Sequence, residues 1–530
     1  MVIKVRFGIL VSCWGNPYQW NLAQYTTSSD EDLVESISTI TATSYLIVKE
    51  QKPLNKIILL VQDTLIPSIL KEFKGKEIHS YRELIELVEE GIKDKLNSPQ
   101  HYVKYLPGKR EIIVKTVKPI MEQLKDIGIT DVDIIVLPGA GRFIDKNHEV
   151  YKATFKRNLA EYLSILVIKL TNIVLSILSK KPRSIYFYID LSHGLNYHPS
   201  LTLSTIYDIA KSIAVFIEEV KLIIFNSEPY PTRELGDTPP KLKIHKILEY
   251  DILPDYTCYK APSERDVFSG IRRTVDYPLK LVEHVNTILA SISSVYPLTI
   301  IHSLSEYIKT LAEYYAEEFS PLLVWKHAEK TLNKLHEYYQ DGVKVHGKTN
   351  ELIVESNIDL HRFMKVYELS LAYILTCLAS QVFEDIINTY REKGEVTIEE
   401  LEHIVKILCR ERYMLKDRII GRDLEDIIEK IKEKIRKGTD LEELNNTYIK
   451  YLYVPRQEPI SKPKFNHFQA HSGLEGNVTI LKIVDPKSLI KALQEQDRKL
   501  LKTCIALGYD LNRLNQIYNE IRKALKSRIR

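Results

Sequence analysis

Near the C-terminal end, the stretch KPKFNHFQAHSGLE (Lys462 to Glu475) sets His467 and His471 four residues apart. Histidine titrates near neutral pH, so such a pair can move protons in a reaction without a metal. Lys464 adds a positive charge and Asn466 an amide. Three readings fit. The set is a catalytic acid–base site, with Lys464 as the nearest upstream cation. Or it is only the polar start of a helix. Or the two histidines, with Glu475 four residues on, share a helix face and bind a metal. The last reading lacks the glutamate of an HExxH motif, since Phe468 follows His467, and Gly473 threatens the helix it needs.

A second set lies in the first half of the chain, just past apolar runs. VIKVRFGILVSC leads into Trp14, Gly15 and Asn16. DVDIIVL leads into a loop with Gly139, Gly141 and Arg142. SIYFYID leads into Ser192, His193, Gly194 and Asn196. Glycines let backbone approach a ligand, and a loop that opens a helix offers free N–H groups to a phosphate. Trp14 suits stacking on a base, and Arg142 suits pairing with phosphate. Together the loops read as a nucleotide-like site. No GxGxxG follows the first strand and no GxxxxGK[ST] occurs, which disfavours a dinucleotide dehydrogenase and a P-loop ATPase.

The elements that must position these loops alternate. Continuous apolar strands such as NKIILLVQD are joined by helices such as SYRELIELVEEGIKDKL, with Ser80 as N-cap. That pattern predicts an α/β, Rossmann-like domain over residues 1–260, with a mostly parallel sheet whose ligands bind beyond the carboxyl ends of its strands. YKATFKRNLAEYLSILVIKLTNIVLSILSK reads as one long helix. The stretch YKAPSERDVFSG (Tyr259 to Gly270) reads as a boundary. Residues 261–530 are helical in period, which predicts an all-α second domain with an inserted helical segment near 320–355. The run EKIKEKIRK reads as a solvated helix face.

Composition narrows the class. The 530 residues are 44% hydrophobic and 27% charged, with a net charge of +4, so no broad basic field exists for duplex binding. Five scattered cysteines without a CxxC pair imply a reduced, cytoplasmic protein. The first apolar run is too short for a membrane span. Few Gly and Met beside abundant Ile, Lys, Glu and Tyr hint at a thermophile, an archaeal one by extension.

The words WGNP, LPGAGRF, DLSHGLN and NSEPY in the first half, and AHSGLE near the end, resemble the CRISPR-associated ribonucleases that join a CARF domain to a HEPN domain, accessory effectors of type III systems. The resemblance implies that the first domain binds cyclic oligoadenylate, the tetra-adenylate foremost, across a two-fold homodimer, and that Trp14, Gly15, Asn16, Gly139, Gly141, Arg142, Ser192, His193, Gly194 and Asn196 hold it. It implies that the second domain cleaves single-stranded RNA without metal or cofactor, the cyclic oligoadenylate being an activator. The family's motif is an Arg, usually followed by Asn, with His four to six residues later. His471 and its frame match; Asn466 stands where the Arg belongs and His467 where the Asn belongs, with Lys464 the nearest cation upstream. The rivals are a ligand sensor whose nuclease has lapsed, a ring nuclease that degrades the cyclic ligand, and a DNA-binding regulator, for which no convincing basic recognition helix follows residue 270.

Overall fold

The computed structural model describes residues 5–26, 33–70, 77–106, 109–144, 152–193, 197–231, 239–256, 279–348, 351–358, 365–454, 458–462 and 464–514. The boundary stretch Tyr259 to Gly270, with Gly194 and Asn196, lies outside them. Contacts divide the chain into two compact units: Met1–Leu253 with Thr331–Ser370, and Pro254–Lys330 with Leu371–Arg530.

The first unit is built on an eight-stranded mixed sheet. Its order is Leu33–Ser36, Ala23–Thr26, Lys241–Asp251, Glu219–Ser227, Ser184–Asp190, Arg6–Cys13, Lys56–Gln62 and Val132–Leu137. The last five strands are mutually parallel, with Leu10 opposite Tyr188 on one side and Ile57 on the other. Every residue of Ser184–Asp190 is buried, which explains its unbroken apolar sequence: a central parallel strand has no solvent face. Lys241–Asp251 pairs antiparallel to Glu219–Ser227 and has no such cover along its second half.

The helices form where capping and periodicity agree. Ser80 Oγ accepts the Glu83 N–H at 3.2 Å, and Glu83 returns a bond to the His79 N–H. The face Leu84, Leu87, Val88 and Ile92 of Tyr81–Asn97 is then buried. Leu159–Leu178, opened by Asn158, is long and apolar enough to cross a membrane, yet 72% of its most apolar stretch is buried inside the protein, as in a core helix.

Three expectations are corrected. The stretch read as one long helix from Tyr151 begins with a strand, Lys152–Lys156, because Ala153 and Phe155 alternate inward and Arg157-Asn158 breaks the chain before the helix. The segment near 320–355 is not all helix: Leu322–Gly342 is followed by a hairpin, Val343–Lys348 and Glu351–Ser356. That hairpin joins Lys152–Lys156 and Gly141–Ile144 in a four-stranded sheet, and Leu352 and Val354 point inward from it. The second unit is helix-rich but not all-α. It holds a sheet in the order Val396–Thr397, Ile505–Tyr509, Thr479–Ile483 and Thr447–Tyr448. Gln496, at φ +55°, and the N-cap Asp497 separate the helices Pro486–Glu495 and Arg498–Cys504, and IALGY follows as a fully buried strand.

In the first unit, Tyr339 donates a hydrogen bond of 2.9 Å to the carboxylate of Glu161, which is 1% exposed. Burial pushes that carboxyl above its usual range. Tyr339→Phe leaves it short of a donor, and is expected to cost about 1–3 kcal/mol. Equilibrium denaturation of the purified variant checks this; a midpoint equal to the parent's refutes it.

Candidate functional site

Because five strands are parallel, their carboxyl ends share one edge of the sheet, and the sequence-predicted loops gather there. Two buried aspartates organise that edge. Asp190 ends its strand with 0% exposure. It accepts from Thr39 Oγ1 at 2.6 Å, Ser12 Oγ at 3.1 Å and Ser192 Oγ at 2.5 Å. Ser192 Oγ in turn accepts the Ser227 N–H at 2.9 Å, which ties two neighbouring loops together. His193 stacks on Trp20 with ring centroids 4.2 Å apart, and burial lowers its pKa.

Asp63 follows the strand Lys56–Gln62. It accepts the Gly139 N–H at 2.8 Å, Tyr81 Oη at 2.9 Å and Arg157 Nη1 at 2.5 Å. Both side chains of the Asp63–Arg157 pair are fully buried, and Arg157 lies 4.4 Å over the Tyr81 ring. Burial pushes the Asp63 carboxyl up against the pull of the Arg157 charge. Gly139 has no room for a side chain: a Cβ there would sit 2.3 Å from Thr64 Cγ2. The LPGAGRF loop is thus pinned at Gly139, while Gly141, at φ +131°, turns it into the strand that carries the exposed Arg142.

Of the predicted ligand contacts, Gly15 and Asn16 are half-exposed at this edge. Asn16 is engaged with the Tyr18 N–H and Ser68, capping the next turn. Trp14 is 1% exposed and packs edge-on against Trp20 at 4.9 Å, so in this arrangement it walls the edge and offers no open face. Sequence reasoning missed Asp63, Asp190, Arg157 and Trp20. An aspartate at the carboxyl end of each of two parallel strands was the available signal for the first two.

In the second unit, Lys464 begins the helix Phe465–Ala470, and His471 follows at its C-terminal end, its N–H bonded to the His467 carbonyl at 3.0 Å. Phe468, 0% exposed, anchors this helix edge-on against Tyr296. The turn after it is tight. Ser472 has φ +51°, at a cost of order 1 kcal/mol, and Gly473 has φ +87°. Tyr509 Oη donates to the Gly473 carbonyl at 2.7 Å, and a Cβ on Gly473 would meet Thr299 Oγ1 at 2.9 Å.

This turn meets Ile419–Leu424, a π-helical segment between Tyr413–Arg418 and Glu425–Arg436, in which the Glu425 N–H reaches the Ile420 carbonyl. Asp423 Oδ1 lies 3.6 Å from His471 Nδ1. Arg418 Nη2 lies 3.5 Å from Ser472 Oγ. Asp423 raises the pKa of His471 above the ordinary histidine value, helped by Glu475 and opposed by burial and by Arg418. Glu475 itself is buried, and its carboxylate accepts from the Asn477 N–H at 2.8 Å and Nδ2 at 2.7 Å. Among the described residues no three His, Cys, Asp or Glu side chains group as metal ligands. His467 and Lys464 are exposed; the side chain of Asn466 lies outside the described residues. Arg418 and Asp423, distant in sequence from the histidines, were not legible as part of this site.

Two outcomes follow from these pairs. Arg157→Met strands a buried carboxylate at Asp63 and is expected to destabilise the protein by roughly 3–5 kcal/mol. Adding Asp63→Asn should restore part of that loss; a single variant as stable as the parent contradicts the pairing. Asp423→Asn should bring the His471 titration midpoint, followed by NMR, down towards about 6.5. Since the folded-state pKa is raised, the pair stabilises below that pH and its contribution fades as pH rises through the raised value. A midpoint that does not move rules out the Asp423 contact.

Residues 9–229 match the family described as "CRISPR system endoribonuclease Csx1, CARF domain". The chain is also 25% identical, over 489 residues, to the "CRISPR system endoribonuclease Csx1" of Methanocaldococcus jannaschii, covering 89% of this chain and 86% of that one. The resemblance carried by WGNP, LPGAGRF, DLSHGLN and AHSGLE is borne out. The sheet edge organised by Asp63 and Asp190 therefore lies within the stretch that matches the Csx1 CARF family.

Proposed function

We propose that this chain is a type III CRISPR accessory ribonuclease, in which cyclic oligoadenylate, the tetra-adenylate foremost, binds the CARF domain and turns on cleavage of single-stranded RNA at His471. The observation that carries the reading is the His471–Asp423 pair beside Arg418, in a chain whose residues 9–229 match the Csx1 CARF family. The relative's description as an endoribonuclease supports the same activity.

The chemistry needs no metal. The ribose 2′-oxygen attacks the adjacent phosphorus, the bond from phosphorus to the 5′-oxygen breaks, and a 2′,3′-cyclic phosphate and a 5′-hydroxyl result. One proton leaves the 2′-hydroxyl and one arrives on the 5′-oxygen. His471, which Asp423 holds towards its charged form, suits the donor. His467, one turn earlier, suits the acceptor. The ligand loops at the sheet edge, Gly15 and Asn16, Gly139 to Arg142, and Ser192 and His193, suit a phosphate-rich ring with donors and close backbone. A ring with two-fold symmetry fits a homodimer. Activation requires that the ligand bind the active arrangement better than the inactive one.

The absence of arginine at position 466 favours a second reading, a sensor whose nuclease has lapsed. Labelled single-stranded RNA incubated with the protein, with and without cyclic tetra-adenylate, separates the two. Ligand-dependent cleavage that His471→Ala abolishes is expected. Retained ligand binding with no cleavage at any ligand concentration would leave only the sensor.

A further inference from the structure

The proposed site has an acid–base partner in His471 but no cation within its own helix that matches the geometry of a phosphate. Lysine is a point charge, and Lys464 sits at the far end of the helix from His471. A phosphorane-like transition state carries extra negative charge on its oxygens, which a planar guanidinium meets with paired donors. The second unit brings such a group to the turn from elsewhere.

We infer that Arg418, the residue that leads into the π-helical segment Ile419–Leu424, is the transition-state cation of this site in place of an arginine in the histidine motif. This rests on the ribonuclease reading above. Four observations carry it. Arg418 reaches Ser472, the residue next to His471, at 3.5 Å. It is exposed, so a phosphate can reach it, and a guanidinium has five N–H donors, of which that contact uses one. Asp423, five residues later within the π segment, reaches His471 at 3.6 Å, so the segment and the residue that leads into it address both adjacent residues of the turn. The helical geometry explains how. In a regular α-helix, residues five apart diverge by about 140° around the axis. The Glu425 N–H to Ile420 carbonyl bond closes a wider turn, which brings positions five apart back towards one face.

The turn that receives these groups is held for the purpose of position. Ser472 keeps a left-handed backbone although it is not glycine, and Gly473 is clasped by Tyr509 and Thr299. Such strain persists only where surrounding contacts over-determine it. Asp423 acts here as a positioning residue, through His471, whereas Arg418 is assigned contact with the scissile phosphate.

The test uses the full-length protein, single-stranded RNA and cyclic tetra-adenylate. Arg418→Ala is expected to lower the ligand-stimulated cleavage rate by about 10²–10³-fold, the size seen when one transition-state donor is lost. Ligand binding and the thermal midpoint should stay at parental values, because Arg418 is exposed. Arg418→Lys should recover only part of the rate. Arg436→Ala, which removes an exposed charge from the following helix, should cleave like the parent. Asn466→Arg in the Arg418→Ala background should restore cleavage by returning a guanidinium to the motif. An Arg418→Ala protein that cleaves at the parental rate overturns the assignment while the ribonuclease reading stands. A parent that binds cyclic tetra-adenylate and never cleaves RNA overturns that reading, and the catalytic role of Arg418 with it.

Discussion

The first unit depends on the buried ion pair between Asp63 and Arg157. Two charges removed from water are costly unless their remaining atoms are satisfied. Asp63 meets that condition with Arg157, Tyr81 and the Gly139 N–H, so one carboxylate joins a strand end, a helix start, a glycine loop and the chain entering Leu159–Leu178. Arg157 meets it less well, since its Nε and Nη2 are buried with no hydrogen-bond partner among the described residues, and the Tyr81 ring takes up part of its charge. The imbalance places the strain on the arginine side, next to the small sheet that continues from the loop.

Asp190 does similar work two strands away, with hydroxyls in place of a counter-charge. The two aspartates make the sheet edge rigid at its base while leaving Arg142 exposed at its rim. A ligand-binding edge benefits from that division, because ordering fewer groups on binding costs less entropy. In the second unit the equivalent rigidity comes from Phe468, Tyr509 and the two left-handed residues, which fix where the His471 side chain begins.

Much of the first domain was legible because its rules are local. Continuous apolar strands, a serine cap at Ser80 and glycines past strand ends each announce themselves within a few residues. The corrections fall where local pattern is ambiguous. KATFK is too short for its period to be told from the helix that follows, and IALGY was absorbed by the amphipathic run before it. The histidine turn was found for the chemistry of its side chains alone. Its partners were hidden because Arg418 and Asp423 sit in an unremarkable charged helix 54 and 48 residues away from Ser472 and His471, and no spacing rule links them.

The π segment also changes what kind of alteration this site tolerates. A wider turn accommodates one residue more than an α-helical turn with the same ends. Substitutions at Ile420 or Gly421, which is exposed with nothing within 4 Å of a built Cβ, leave that extra residue in place. Loss of a single residue between Ile419 and Leu424 does not: it lets the stretch rewind as regular helix and turns one of the two charges away from the histidine turn. The proposed site is thus guarded by chain length as much as by residue identity: the pairing of Arg418 and Asp423 with the histidine turn depends on the extra residue.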